Sequence, residues 1–174
     1  SRSEKLVDEA RKMVERSKEI VDKSEREVED VVRRARRNVE KVLKDAKKVV
    51  DEVDELTKRG TDKETLKERL REILERIERY IEESKKDLDR ILEELERKHR
   101  ENKERLRRIL EKIRRDGVGE DVLREVEELV RRVEEENDRV LKRAKELVED
   151  VKRKHDRVLE TVRKLVEDVT RRLK

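Results

Sequence analysis

Apolar residues in this chain return to the same side of a helix every 18 residues, and that spacing constrains the fold more than any other feature. At about 100° per residue, 18 residues close five whole turns. Leu70, Ile73, Leu74 and Ile77 recur as Leu88, Ile91, Leu92 and Leu95, then as Leu106, Ile109, Leu110 and Ile113. Val122, Leu123, Val126 and Leu129 return as Val140, Leu141, Ala144 and Leu147, and again as Val158, Leu159, Val162 and Leu165. Near the start, Ala10, Met13 and Val14 become Val28, Val31 and Val32, then Ala46, Val49 and Val50. A strict seven-residue repeat drifts by about 20° per heptad and winds helices into a left-handed supercoil. A five-turn repeat does not drift, so straight, untwisted helices are expected, each with one apolar stripe toward its neighbours.

Only three glycines punctuate the 174 residues, and there is no proline. Gly60 suits the left-handed residue that closes a helix, and Thr61 with Glu64 spells a capping box for the next. Gly117 and Gly119 mark a second break, with Arg114 and Arg115 before it and Glu120 and Asp121 after it, as the helix dipole favours. Ser1 and Glu4 spell a further capping box. Helices are therefore predicted over about 3–58, 62–115 and 120–173. Connections this short turn each helix back along the previous one. The expected fold is all-α: a straight, untwisted, antiparallel three-helix bundle (up-down-up) of helices of about 55 residues, forming one domain over residues 1–174.

Charged residues make up 59% of the chain and hydrophobic ones 31%, a balance that in an unpatterned sequence would mean disorder. The regular stripe excludes that reading. With 53 basic and 49 acidic side chains the net charge is +4, too small and too dispersed for a dedicated nucleic-acid surface. The densest basic run, Arg33, Arg34, Arg36 and Arg37, is flanked by Glu29, Asp30 and Glu40, and the chain has no Trp or Phe to stack bases. No cysteine is present to hold a metal or act as a nucleophile. No apolar run reaches the roughly 18 residues of a membrane span, and no signal-like apolar segment follows the first residues. A soluble protein with neither a nucleic-acid nor a membrane partner is expected.

Polar residues interrupt the stripe at core phases. They are Ser17, Ser24 and Asn38 in the first helix, Tyr80, Ser84, His99 and Asn102 in the second, and Asn137 and His155 in the third. Antiparallel packing sorts them by height. Residues level with each other on the first two helices have numbers totalling about 120, and on the last two about 235, given the rise of 1.5 Å per residue. Ser17, Ser24, His99, Asn102 and Asn137 then fall in one layer, and Asn38, Tyr80, Ser84 and His155 in a second. Buried polar groups cost free energy unless they meet partners. Two hydrogen-bond networks are therefore expected, whose work is to fix helix register. Slipping by one repeat would leave the apolar layers content and the polar ones unpaired. A histidine held neutral by burial also predicts stability that falls in acid.

Enzymatic activity is not expected. The two histidines belong to different layers, and no glycine-rich elbow presents a serine. One histidine per layer is too few for a metal site, so no cofactor is expected either. The small residues Ala10, Ala35 and Ala46 on the first helix leave a second reading open, in which the stripe accepts a further helix from a partner chain or another copy.

With these features in hand, the chain resembles computationally designed (de novo) helical bundles with modular buried hydrogen-bond networks. The resemblance rests on equal idealised helices, glycine-only breaks with capping residues, a Lys/Arg/Glu surface, a repeated Leu/Ile/Val core, and Ser/Asn/His/Tyr layers among apolar ones. It implies a structural scaffold with no natural biochemical activity, stable to heat, in which the networks encode register and specificity. The alternative it implies is one component of a designed heterodimer, oligomer or switch.

Overall fold

The computed structural model describes residues 2–173. Three helices account for nearly all of them: α1 (Arg2–Lys58), α2 (Lys63–Arg115) and α3 (Glu120–Arg172). Among the described residues there is no strand, and no helix is long and apolar enough to cross a membrane.

Both breaks lie at the predicted glycines, and their local chemistry is specific. At the end of α1, Gly60 takes a φ of +79°. Its N–H donates to the Thr57 carbonyl and the Thr61 N–H to the Leu56 carbonyl, the paired bonds of a Schellman cap. The N-cap is displaced by one residue from its predicted place. Asp62, not Thr61, starts α2: its main-chain carbonyl accepts from the Leu66 N–H, and its Oδ2 accepts from the Thr65 N–H and hydroxyl. Thr61 is instead drawn into the Schellman bonds, so its hydroxyl is not the one at the helix start. In the second break, Gly117 has the positive φ (+65°). Gly119 does not stop a helix but begins one, its carbonyl accepting from the Leu123 N–H. The box at Ser1 lies outside the described residues.

Contacts divide the chain into two compact units, each built from stretches of all three helices. A helical residue touches only what lies within a turn or two of its own height, so one long helix can serve two sets of neighbours. Unit 1 comprises Ser1–Asp30 and Arg90–Glu146. Its apolar core joins Val7, Ala10 and Val14 of α1, Leu106, Ile109 and Ile113 of α2, and Val126, Val130 and Val133 of α3. Unit 2 comprises Val31–Asp89 and Leu147–Lys174. Its core joins Val39, Ala46, Val50 and Val53 to Leu66, Leu70, Ile77 and Ile81, and to Val158, Val162, Val166 and Val169. Burying each such side chain contributes about 1.5–3 kcal/mol relative to exposure. No large hydrophobic side chain is exposed among the described residues.

The buried positions carry the 18-residue period. From Val126 to Val169, every buried residue of α3 lies three or four places from the next. A heptad would alternate threes and fours without end. Here a doubled step of four occurs at Val140, Ala144 and Val148, and returns at Val158, Val162 and Val166. That extra residue turns a 3.5-residue spacing into 3.6 and cancels the drift.

Ion pairs line the seams within each unit. Between the parallel helices α1 and α3, unit 1 pairs Arg11 with Glu125 and Glu25 with Arg139, each 114 residues apart. Unit 2 pairs Glu40 with Lys154 at the same separation. Between α2 and α3, Lys103 pairs with Asp138 and Arg114 with Glu127 in unit 1, and Lys85 with Asp156 and Glu78 with Arg163 in unit 2. Exposed pairs of this kind contribute only about 0–1 kcal/mol each. They are too weak to hold the register unaided.

Candidate functional site

The sites with distinctive chemistry are the two polar interruptions of the core, one in each unit.

In unit 1, Ser17, Ser24, His99, Asn102 and Asn137 are all buried, as their phases predict. The bonds among them run largely to the main chain. Asn102 Nδ2 donates to the Ser17 carbonyl across α2 and α1 (3.4 Å), and Asn137 Nδ2 donates to the His99 carbonyl across α3 and α2 (3.5 Å). Each amide thereby reaches a helix carbonyl that already serves its own helix, using that oxygen's second lone pair. The His99 ring points elsewhere, its Nε2 lying 2.9 Å from Asp138 Oδ1. Lys103 Nζ lies 3.0 Å from the same oxygen. Asp138 was not among the residues singled out in the sequence, because a half-exposed aspartate in a chain so rich in charge has no distinguishing mark. Its signal was position: it follows Asn137 and faces a lysine one turn beyond His99.

In unit 2, His155 is fully buried (0% exposed) and both ring nitrogens are paired. Nδ1 lies 2.7 Å from the Val151 carbonyl, and Nε2 lies 2.8 Å from Ser84 Oγ. The carbonyl can only accept, so Nδ1 carries the proton; Nε2 then accepts from the Ser84 hydroxyl. Burial pushes the His155 pKa below the ordinary histidine value. The Val151 bond works in the opposite direction, nearby Lys85 lowers it further, and Asp156 raises it. Lys85 and Asp156 are themselves ion-paired beside the Ser84–His155 contact.

The other two residues expected in this layer lie apart from it. Asn38 is exposed, and Val39 beside it occupies the core. The reason is phase: 18 residues to either side of Asn38 lie Ile20 and Leu56, both only half-buried. That angle is the margin of the stripe, where a long apolar chain folds inward and a short amide stays in water. Tyr80 is half-buried and packs against the apolar cluster of unit 2; desolvation raises the pKa of its phenol. Among the described residues, no hydrogen bond joins Asn38 or Tyr80 to the Ser84–His155 pair.

A serine oxygen 2.8 Å from an imidazole nitrogen is also the spacing of a nucleophile and its base. Here the far nitrogen is anchored to a main-chain carbonyl rather than a carboxylate, and the ring is sealed from solvent. The pair ties Ser84 of α2 to His155 of α3. Among the described residues, no group of three or more His, Asp or Glu side chains is placed to hold a metal. A surface groove between α2 and α3 in unit 1 sets Arg107, Arg114 and Arg124 against Glu111, Glu127 and Glu134, so it favours neither anion nor cation.

Comparison with known proteins adds little beyond this geometry. No family model matches the chain, and no curated protein matches it. Among solved structures it is similar to one described as a "Computationally designed three helix bundle", at 19% identity over 99% of this chain and 85% of that one, with a TM-score of 0.39.

Proposed function

We propose that this chain is a designed structural scaffold with no biochemical activity of its own, in which the buried polar layers fix helix register and pairing. The observation that carries this reading is the Ser84–His155 bond. It joins α2 to α3 through a ring whose other nitrogen is already committed to α3's own backbone. Sliding α2 past α3 by one turn, about 5.4 Å, breaks the bond and strands an acceptor where water does not reach. The unit 1 layer adds cross-helix bonds from α2 to α1 and from α3 to α2. A designed origin is supported by the sequence itself, whose single period governs all three helices and whose only glycines sit at the two breaks.

The test replaces the layers with apolar residues of similar volume. Ser84→Val with His155→Leu, combined with His99→Leu, Asn102→Leu and Asn137→Leu, is expected to leave helicity high while giving more than one set of amide resonances, as alternative registers become populated. A single sharp set matching the parent chain would overturn the register role. Self-sufficiency is supported by the lack of exposed large hydrophobic side chains among the described residues. Light scattering over a range of concentrations is expected to give a mass of 21.2 kDa throughout. A multiple of that mass would favour the partner-helix reading instead.

A further inference from the structure

Two buried atoms in the unit 1 layer have no hydrogen-bond partner within the protein: Nδ1 of His99 and Oδ1 of Asn102. His99 is 9% exposed and Asn102 1%. Oδ1 of Asn102 is an acceptor in any state, and Nδ1 is one whenever the His99 ring is neutral. The Asp138 carboxylate can only accept, so the proton of a neutral His99 ring is on Nε2 and Nδ1 bears a lone pair. The Ser17 carbonyl can only accept, so Asn102 must turn its Nδ2 toward it, which fixes Oδ1 on the other side of the amide. Flipping the amide would set two carbonyl oxygens against each other.

Two acceptors cannot satisfy one another. His99 and Asn102 lie three apart on α2 and so share a face, where one small molecule can serve both with hydrogen bonds of about 2.8 Å. That molecule must give two protons and carry no bulk. We infer that the unit 1 layer holds one internal water molecule, donating one O–H to His99 Nδ1 and the other to Asn102 Oδ1. Buried waters in proteins typically make two to four hydrogen bonds, and these two acceptors supply the minimum. The unit 2 layer sets no such requirement, because both nitrogens of His155 are paired with protein groups. The hydration site goes beyond the scaffold reading and stands on the two unpartnered acceptors, whatever the layer does for register.

Magnetic relaxation dispersion of solvent oxygen and deuterium counts water molecules held inside a protein for longer than it tumbles. On the full chain near neutral pH, His99→Leu with Asn102→Leu is expected to remove one such water per chain, whereas His155→Leu removes none. An unchanged count in the first variant, with its helical circular dichroism intact, would overturn the inference. A readout on the parent chain guards against a variant that fails to fold. Its His99 imidazole nitrogen shifts should show Nδ1 as an unprotonated acceptor, and a crystal structure should place an ordered oxygen within about 3.2 Å of both atoms. A protonated Nδ1 bonded directly to Asn102 would refute the site.

Discussion

Ser84→Ala removes one oxygen atom, and the structure says what that oxygen is worth. The hydroxyl is the sole partner of His155 Nε2, 2.8 Å away, and the ring it serves is wholly excluded from solvent. Ser84 itself is half-buried, so solvent touches the edge of the pair while the ring stays covered. Leaving a buried acceptor unpaired costs about 1–3 kcal/mol. The substitution also puts the best helix former in place of a middling one within α2, which returns roughly 0.5 kcal/mol. The net expectation is a loss of about 0.5–2.5 kcal/mol. Denaturation in guanidinium near neutral pH, followed by circular dichroism, measures it as a fall in midpoint at constant slope. Pairing the change with His155→Leu supplies the control. Once donor and acceptor are both gone, the double variant should regain most of the loss, because two apolar groups can replace a satisfied polar pair at little cost. A Ser84→Ala protein as stable as its parent, or a double variant worse than the sum of its singles, would refute the claim that the bond matters because it is buried.

Further expectations follow from single features. Because burial lowers the His155 pKa in the folded chain, the unfolded chain takes up this proton first as pH falls. Stability should be full above about pH 6.5 and decline below it by at most ~1.4 kcal/mol per pH unit until the folded-state pKa is passed. Urea titrations of the parent and of His155→Leu at several pH values should differ in this slope, and equal slopes would contradict it. Gly60→Ala forces a side chain into a φ of +79° and should cost about 1–2 kcal/mol, with no steric contact to blame since nothing lies within 4 Å of the added carbon. Asp62→Ala should cost about 0.5–2 kcal/mol by uncapping α2, while Thr61→Ala should cost less, and the two thermal or guanidinium midpoints decide the order. Leu106→Ala, at a fully buried position of unit 1, should cost about 2–5 kcal/mol. The parent chain itself should melt above about 90 °C by calorimetry.

The helices were legible in the sequence because their cause is local. Periodic apolar residues and two glycine breaks set α1, α2 and α3 with no reference to distant parts of the chain. Burial of Ser17, Ser24, His99, Asn102, Asn137 and His155 was legible for the same reason, since phase on one helix sets depth. What a buried group touches was harder to read. Asn102 and Asn137 settle on main-chain carbonyls, which exist at every position and leave no mark in a list of side chains. His99 found Asp138, one aspartate among many. Asn38 was placed in the core by the phase it shares with Ile20, at the margin of the stripe where a few tens of degrees decide between core and water. At the first break, Thr61 and Asp62 are both good caps by type, and the choice between them was made by the Schellman bonds upstream.

The doubled step in α3, from Val140 through Val148 and again from Val158 through Val166, acts as a ruler. Excising seven residues from a helix would rotate everything beyond the cut by about 20°, enough over two cuts to swing a valine toward solvent. Excising 18 restores every angle. Shorter and longer siblings of this protein are thus available only in whole strokes of five turns, taken from all three rods together, and any intermediate length needs a newly written interior.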